Sequence, residues 1–450
     1  MALFTRKIYD EMLSWKNRYQ GKCALLVKGA RRVGKTTIVR RFAKEQYDSF
    51  IFVDFSKSAS RERKAISEFD GDMDMFFLQL QRIHNTPLRE RRSVIVFDEV
   101  QLFPLARQMI KHLVADGRYD YIETGSLLSI RQNVQDILIP SEEVSITMHP
   151  MDFEEFLWTE GDELTVPLAR KSFESRKPLG REFHESTMRK YYEYMLVGGM
   201  PQAVDTFRNT GSYNSAEEIK LSILEVYLGD TAKIVGKNGI SATSILRNVP
   251  AMLSKGGGSF KPGAVEKGST TEDHLDAVVW LSESMMVNVC YRCTDPGPTP
   301  DLFVDPSSFK VYMVDTGLLF TAATRSDKGD VGEIIESLVA EKDSINAGML
   351  FENAVSQELT ATGHSLMYSR FRTEETTKSY EVDFLLFEDG KVIPLEVKSG
   401  ESGRHKSLNV FMEKYRKRIS GAYVVHRKDL RVDGDITYIP LYMAMFLRRG

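Results

Sequence analysis

Nowhere in the 450 residues is there an apolar run of the roughly 18 that a bilayer-spanning helix needs, so a helical membrane protein is not expected. Residues 1–16 are charged and amphipathic, and they lack the apolar core and small-residue cleavage site of a secretory signal. The expectation is a cytoplasmic chain without a membrane partner. Cysteine is scarce, three in all, which suits a reducing compartment and excludes a disulfide framework. Cys290 and Cys293 form a C-x-x-C spacing, but no second ligand pair accompanies them. Their odd separation, in a strand-like run over 287–293, directs them to opposite faces, so neither zinc nor redox chemistry is expected. Net charge is also small, −3, and no global field draws the chain to nucleic acid or to an anionic surface. Any DNA contact must come from a local patch. No internal repeat or low-complexity tract stands out.

What is present is ordinary globular composition, 42% hydrophobic and 27% charged, in a chain too long for one core. Two or three domains follow. Up to about residue 124, short β-rich runs at 24–28, 50–55, 93–97 and 119–124 alternate with helical patterns at 36–47 and 73–83, the order of an α/β fold with a parallel sheet. From 152 to about 240 the periodicity is helical, as in a lid and connector. A helix over 271–286, then strands at 287–293 and 310–314 around a Pro-rich loop, suggest either a winged-helix-like module or a plain spacer. Residues 326–346 are charged and read as a helix. The last stretch, 350–359, 380–387, 392–398, 407–418 and 422–426, reads αββαβ.

The first chemical motif is Gly29-Ala30-Arg31-Arg32-Val33-Gly34-Lys35-Thr36, a G-x-x-x-x-G-K-[ST] loop between an apolar strand and a helix, and its residues, with Thr37 after them, are expected to bind the nucleotide. Glycines let backbone N–H groups wrap phosphates at a helix N-terminus. Lys35 reaches the terminal phosphates, and the Thr36 hydroxyl binds Mg²⁺. Such a loop needs an acid at the end of a neighbouring strand, and Val94-Ile95-Val96-Phe97-Asp98-Glu99 supplies two. Asp98 is expected to orient Mg²⁺, and Glu99 to polarise the attacking water, which marks a hydrolase of ATP rather than a kinase. Tyr121-Ile122-Glu123-Thr124-Gly125-Ser126 ends another strand with small hydroxyls; Ser126 reads either as a γ-phosphate sensor or as a simple cap. An arginine finger from a neighbouring subunit would accommodate a homo-oligomer.

The second constellation is Glu352, Asp383, Glu396 and Lys398. Glu396-Val397-Lys398 is an E-x-K triplet whose charged members share a strand face. Asp389-Gly390 favours a two-residue hairpin turn, which pairs Glu388 with Lys391 and, counting back, Asp383 with Glu396 and Glu381 with Lys398. Facing carboxylates repel unless a cation lies between them. Asp383 sits in an otherwise apolar strand pair, where a lone charge is costly. A divalent metal on Glu352, Asp383 and Glu396, with Lys398 steadying water or developing charge, is the kit of metal-assisted phosphodiester hydrolysis. Lys406, Lys414, Arg416, Lys417 and Arg418 read either as contacts to DNA phosphates or as a solvated helix face.

Further motifs lie outside this chemistry: Pro150-Met151-Asp152-Phe153-Glu154-Glu155-Phe156-Leu157, Gly198-Gly199-Met200-Pro201, Lys310-Val311-Tyr312-Met313-Val314-Asp315-Thr316-Gly317-Leu318 and Gly348-Met349-Leu350-Phe351-Glu352-Asn353. In this order along nearly the whole chain, they resemble a family of bacterial and archaeal AAA-type P-loop ATPases whose C-terminal domain of unknown function is PD-(D/E)XK nuclease-like. Where such proteins often have Gly-Arg, this chain reads Ser141-Glu142-Glu143. The resemblance implies a P-loop ATPase core over 1–150, a helical lid and connector over 151–240, a winged-helix-like region over 241–325 and a restriction-endonuclease-like α/β domain over 326–450. It implies ATP and Mg²⁺ as cofactors and DNA as partner. It also carries the nuclease roles onto Glu352, Asp383, Glu396 and Lys398.

Overall fold

The computed structural model describes residues 4–57, 59–69, 71–125, 142–234, 236–254, 258–324, 347–373, 376–400 and 405–448. The helix expected over 326–346 and Ser126 lie outside the described residues. The chain divides into two compact units, Met1–His149 with Glu283–Met285, and Pro150–Ser282 with Met286–Gly450.

The first unit is a five-stranded parallel sheet in the order β2-β3-β4-β1-β5. Its strands are β1 (Ala24–Gly29), β2 (Ser49–Asp54), β3 (Ser93–Asp98), β4 (Asp120–Gly125) and β5 (Glu143–Met148). Every residue of β3 and β4 is buried, as central strands covered on both faces require, and β3 accordingly reads as a near-continuous apolar run. Edge strand β5, EVSITM, is only partly buried and half of its residues are polar, so its apolar signal is weak. Helices α1 (Ile8–Tyr19), α2 (Lys35–Gln46), α3 (Ser60–Glu68), α4 (Met73–His84) and α5 (Pro104–Asp116) accompany the sheet. One core joins Ile51, Val53, Ile95 and Phe97 to Phe76, Phe77 and Leu80 of α4 and Ile110 and Leu113 of α5. α5 starts at Pro104, whose missing N–H costs nothing in a first turn, and ends at left-handed Gly117.

The second unit begins with helices α6 (Phe153–Trp158), α7 (Thr165–Ser175), α8 (Arg181–Val197), α9 (Pro201–Thr210), α10 (Tyr213–Thr231) and α11 (Lys237–Ser254). α6 opens with a capping box: Glu155 N donates to Asp152 Oδ1 at 2.9 Å and Asp152 N donates to Glu155 Oε2 at 3.3 Å. Helix α12 (Leu275–Glu283) leads to the hairpin of β6 (Val287–Cys293) and β7 (Val304–Met313). This hairpin stands where a wing was expected, but β6 also pairs in parallel with β8, giving a four-stranded sheet β7-β6-β8-β9. It is therefore shared with the C-terminal region rather than free. The register of the hairpin shifts between Tyr291 and Arg292, where residues 306–308 of β7 are left out of the pairing. Cys290 and Cys293 are both fully buried, as strand residues on opposite faces are when both faces of the sheet are covered. Burial pushes both thiols above their ordinary range.

Helix α13 (Thr316–Thr324) and helix α14 (Ala347–Ala361) precede β8 (Met367–Thr373), β9 (Thr376–Val382), β10 (Phe384–Glu388) and β11 (Lys391–Val397). α15 (Lys406–Lys414), β12 (Ala422–His426), β13 (Arg431–Asp433) and β14 (Ile436–Pro440) complete a second five-stranded sheet, β10-β11-β12-β14-β13. The strand expected over 380–387 is in fact two: the chain leaves one sheet at Val382 and enters the other at Phe384, with only Asp383 between them.

The non-chemical motifs meet in one packing knot of this unit. Met151 N donates to Gly199 O at 2.8 Å, and Asp315 Oδ2 accepts from Gly199 N at 2.6 Å. Asn353 bonds both the N–H and the carbonyl of Met313, and Gln357 Oε1 accepts from Thr316 N at 2.9 Å. A Cβ on Gly199 would lie 2.1 Å from Met151 O, and one on Gly317 would lie 2.5 Å from Gly198 Cα. Only glycine allows backbones this close.

Candidate functional site

The phosphate loop joins the end of β1 to α2. Gly29 lies against β5, where an added Cβ would meet Met148 O at 2.4 Å. Arg32 and Gly34 take positive φ, +70° and +104°, to turn the chain into the helix. Buried Arg6 braces the loop by donating to Val33 O at 3.2 Å and His149 O at 2.7 Å, a role no motif announced. Ala30 and Val33 are buried, whereas Arg31, Arg32 and Thr37 are exposed.

Lys35 Nζ donates to Gly29 O and Ala30 O at 2.9 Å each, which pins the ammonium inside the loop. Burial lowers its pKa, while Glu99 and Asp98 act in the opposite direction. The Thr36 hydroxyl lies 3.0 Å from both oxygens of Asp98, at the end of β3. Parallel pairing of β3 with β4 brings up Thr124, whose Oγ1 donates to Asp98 Oδ1 at 2.6 Å and accepts from Glu99 N at 3.1 Å. Burial raises the Asp98 carboxyl above the usual range against the hydrogen bond from Thr124, and neighbouring Glu99 adds to the rise. Glu99 sits at φ +56°, and its Oε2 accepts from Gln101 Nε2 at 2.5 Å.

Lys35, Thr36, Asp98 and Glu99 thus converge as expected, and Thr124 joins them. Its signal was the hydroxyl at the strand end, in the same motif that held Ser126. The hydroxyl of Thr36 and the carboxylate of Asp98 are hard oxygen donors side by side, a set that fits Mg²⁺. Behind them Arg107, 3% exposed, bridges Glu123 at 3.2 Å and Glu143 at 2.9 Å, tying α5 to β4 and β5. Glu143 belongs to the Ser141-Glu142-Glu143 stretch, so an acid there serves an arginine on another element.

The second constellation is only partly assembled as expected. Left-handed Asp389 and Gly390 make the turn, and Glu388 pairs with Lys391. The ladder ends at Phe384 opposite Leu395, one residue short of Asp383 and Glu396. There the Asp383 side chain takes over the ladder, its Oδ2 accepting from Val397 N at 2.8 Å. Glu396 and Lys398 share a face and form an ion pair. The expected pairing of Glu381 with Lys398 is absent: β9 has left this sheet, and Glu381 turns to Arg370, at 2.6 Å, and to Lys310, at 2.9 Å.

Lys310 is the residue that sequence reasoning missed. It lies on β7, is fully buried, and its Nζ is 2.7 Å from Glu352 Oε1, 2.9 Å from Glu381 Oε1 and 3.8 Å from Asp383 Oδ1. Tyr312, two residues along the same face, donates to Glu352 Oε1 at 2.5 Å. Burial alone would lower the lysine pKa, but Glu352, Glu381 and Asp383 push it well above its ordinary value. Burial and Glu352 raise the Asp383 carboxyl to about 7, against Lys310.

The expected carboxylates do not fit a divalent metal. Glu352 is engaged by Lys310 and Tyr312, Asp383 by Val397 N, and Glu396 by Lys398. Among the described residues no three His, Cys, Asp or Glu side chains are grouped as a metal would need. Only Glu396 Oε2, buried without a hydrogen-bond partner, points the other way, and one oxygen is not a ligand set. On and after α15, Lys406, Lys414, Arg416, Lys417 and Arg418 are all exposed. Of these, Lys414 donates to Arg372 O at 3.1 Å and Arg418 pairs with Asp295.

Residues 22–157 match the family model of an AAA domain, residues 188–329 a domain of unknown function (DUF8612) and residues 347–444 another (DUF4143). The chain thus carries an AAA-type P-loop ATPase domain of α/β fold with a parallel sheet. No curated protein matches it. Among solved structures it is similar to a Walker-type ATPase of Pyrococcus abyssi, at 15% identity and TM-score 0.40, over 71% of this chain and 96% of that one. It is also similar to the ORC1 protein of Aeropyrum pernix, solved in complex with DNA, at 14% identity and TM-score 0.29, over 74% of this chain and 95% of that one. At these scores neither likeness bears on partner or mechanism. Among the described residues no helix is long and apolar enough to cross a membrane.

Proposed function

We propose that this chain is a Mg²⁺-dependent ATPase whose nucleotide state governs a PD-(D/E)XK nuclease-like C-terminal domain that acts on or binds DNA. The convergence of Lys35, Thr36, Asp98, Glu99 and Thr124 carries the reading. Loop N–H groups and the Lys35 ammonium bind the phosphates, and Glu99, next in the chain to Asp98, takes a proton from the attacking water. Thr124, bonded to Asp98 and to the Glu99 backbone, couples the acid that orients Mg²⁺ to the acid that activates water. Thr36 and Asp98 are the residues that would hold Mg²⁺, which supplies neutralisation of phosphate charge when bound.

For the C-terminal domain, the order of α14, β10, β11, α15 and β12 and the placement of Asp383, Glu396 and Lys398 support the nuclease-like reading. One observation favours binding without cleavage: a lysine, not an open oxygen-lined pocket, lies among Glu352, Glu381 and Asp383. The test is a titration of labelled DNA with and without ATP at several salt concentrations, beside an ATPase assay, on wild type and Lys35→Ala. Nucleotide-dependent binding that weakens with salt, lost together with hydrolysis in Lys35→Ala, supports the proposal. Equal ATP turnover by Lys35→Ala sinks the ATPase reading, and DNA binding indifferent to nucleotide sinks the coupling.

A further inference from the structure

The acid cluster of the second unit carries its own cation. Three carboxylates, from α14, from β9 and from the junction of the two sheets, surround one ammonium on β7. Lys310 is not a flexible surface lysine that wandered in. Its backbone pairs with Cys290 in the ladder and with Ser259 on the other side, its side chain is fully buried, and its Nζ lies over the Tyr368 ring at 5.3 Å. A divalent ion entering the cluster would lie beside that ammonium and be repelled by it, or would strand it in surroundings that leave a charge unpaired. Asp383 and Glu396, the carboxylates nearest the second strand, are meanwhile turned to Val397 N and Lys398.

We propose that Lys310 permanently takes the place of a divalent metal in the Glu352–Glu381–Asp383 cluster, so that this pocket binds no such metal and the domain cleaves no phosphodiester through one. The inference rests on the nuclease-like reading of the domain but is independent of whether the chain binds DNA.

Mn²⁺ binding to the nucleotide-free full chain, followed by the spin resonance of free Mn²⁺, tests it. Wild type, Glu352→Gln and Asp383→Asn are expected to bind the same number of ions, any contribution of the phosphate loop being common to all three. A Mn²⁺ bound by wild type and lost in either variant overturns the proposal, and this comparison does not require a Lys310 variant to fold. In Lys310→Met, either a new Mn²⁺ site that Asp383→Asn removes or a fall in thermal midpoint supports it. A Lys310→Met chain equal to wild type in both readouts overturns it. Absence of DNA binding in every variant would instead count against the proposed function and leave the Mn²⁺ result standing.

Discussion

Glu99 and Thr124 divide the work of the nucleotide site in a way that kinetics can separate. Neither is aimed to grip nucleotide: Thr124 is bonded to Asp98 and the Glu99 backbone, and Glu99 to Gln101. Glu99→Gln should therefore bind a fluorescent ATP analogue as wild type does, while hydrolysis falls by about 10² to 10⁴. A fall below about tenfold would remove Glu99 from the proton transfer. Thr124→Val should lower turnover while leaving analogue binding close to wild type. A second residue-scale expectation concerns His426, whose pKa burial, with Arg431 nearby, lowers from 6.5 to about 4. The folded chain keeps this imidazole neutral, whereas the unfolded chain protonates it below 6.5. The unfolded state thus binds more protons between pH 6.5 and about 4, and the stability present above 6.5 is lost as pH falls through that window. In His426→Gln the thermal midpoint should decline less between those limits, and an unchanged slope would contradict the assignment.

At the scale of elements, the knot around Gly199 makes the sharpest demand. An alanine there must displace Met151 O, against which its Cβ would stand at 2.1 Å, and both partners are backbone. Gly199→Ala should cost about 1–3 kcal/mol or more, read by denaturant unfolding, whereas Gly229→Ala, whose Cβ would meet nothing, should cost less. Equal losses would show that the contact with Met151 O is not limiting. What the sequence revealed at this scale was whatever local chemistry dictates. β1, β2 and β3 are apolar runs closed by turn residues, the phosphate loop is contiguous, and Asp389-Gly390 sets its own turn. What it hid depends on residues far apart. Lys310 meets Glu352 across 42 positions, and Arg107 meets Glu143 across 36, so no window contains either pair. The register shift after Tyr291 and the change of sheet at Asp383 were invisible for another reason: each interrupts a ladder whose residues still look like an unbroken strand.

For the whole molecule, the two units set apart the two chemistries that the motifs imply: the phosphate loop in the first, the carboxylates and Lys310 in the second. Acidic groups are handled differently in each. In the first, Thr36 and Asp98 present oxygens side by side; in the second, Lys310 lies among three carboxylates. The single residue between β9 and β10 also bears on how the second unit comes apart. A chain that crosses from one sheet to the other through Asp383 alone leaves no slack linker in which one sheet could fray while the other persists. Amide hydrogens of Tyr380 and Leu386, on opposite sides of that crossing, should therefore exchange with solvent in one concerted opening at a common free energy. Two distinct protection levels, measured by native-state exchange in rising denaturant, would show that the sheets open independently.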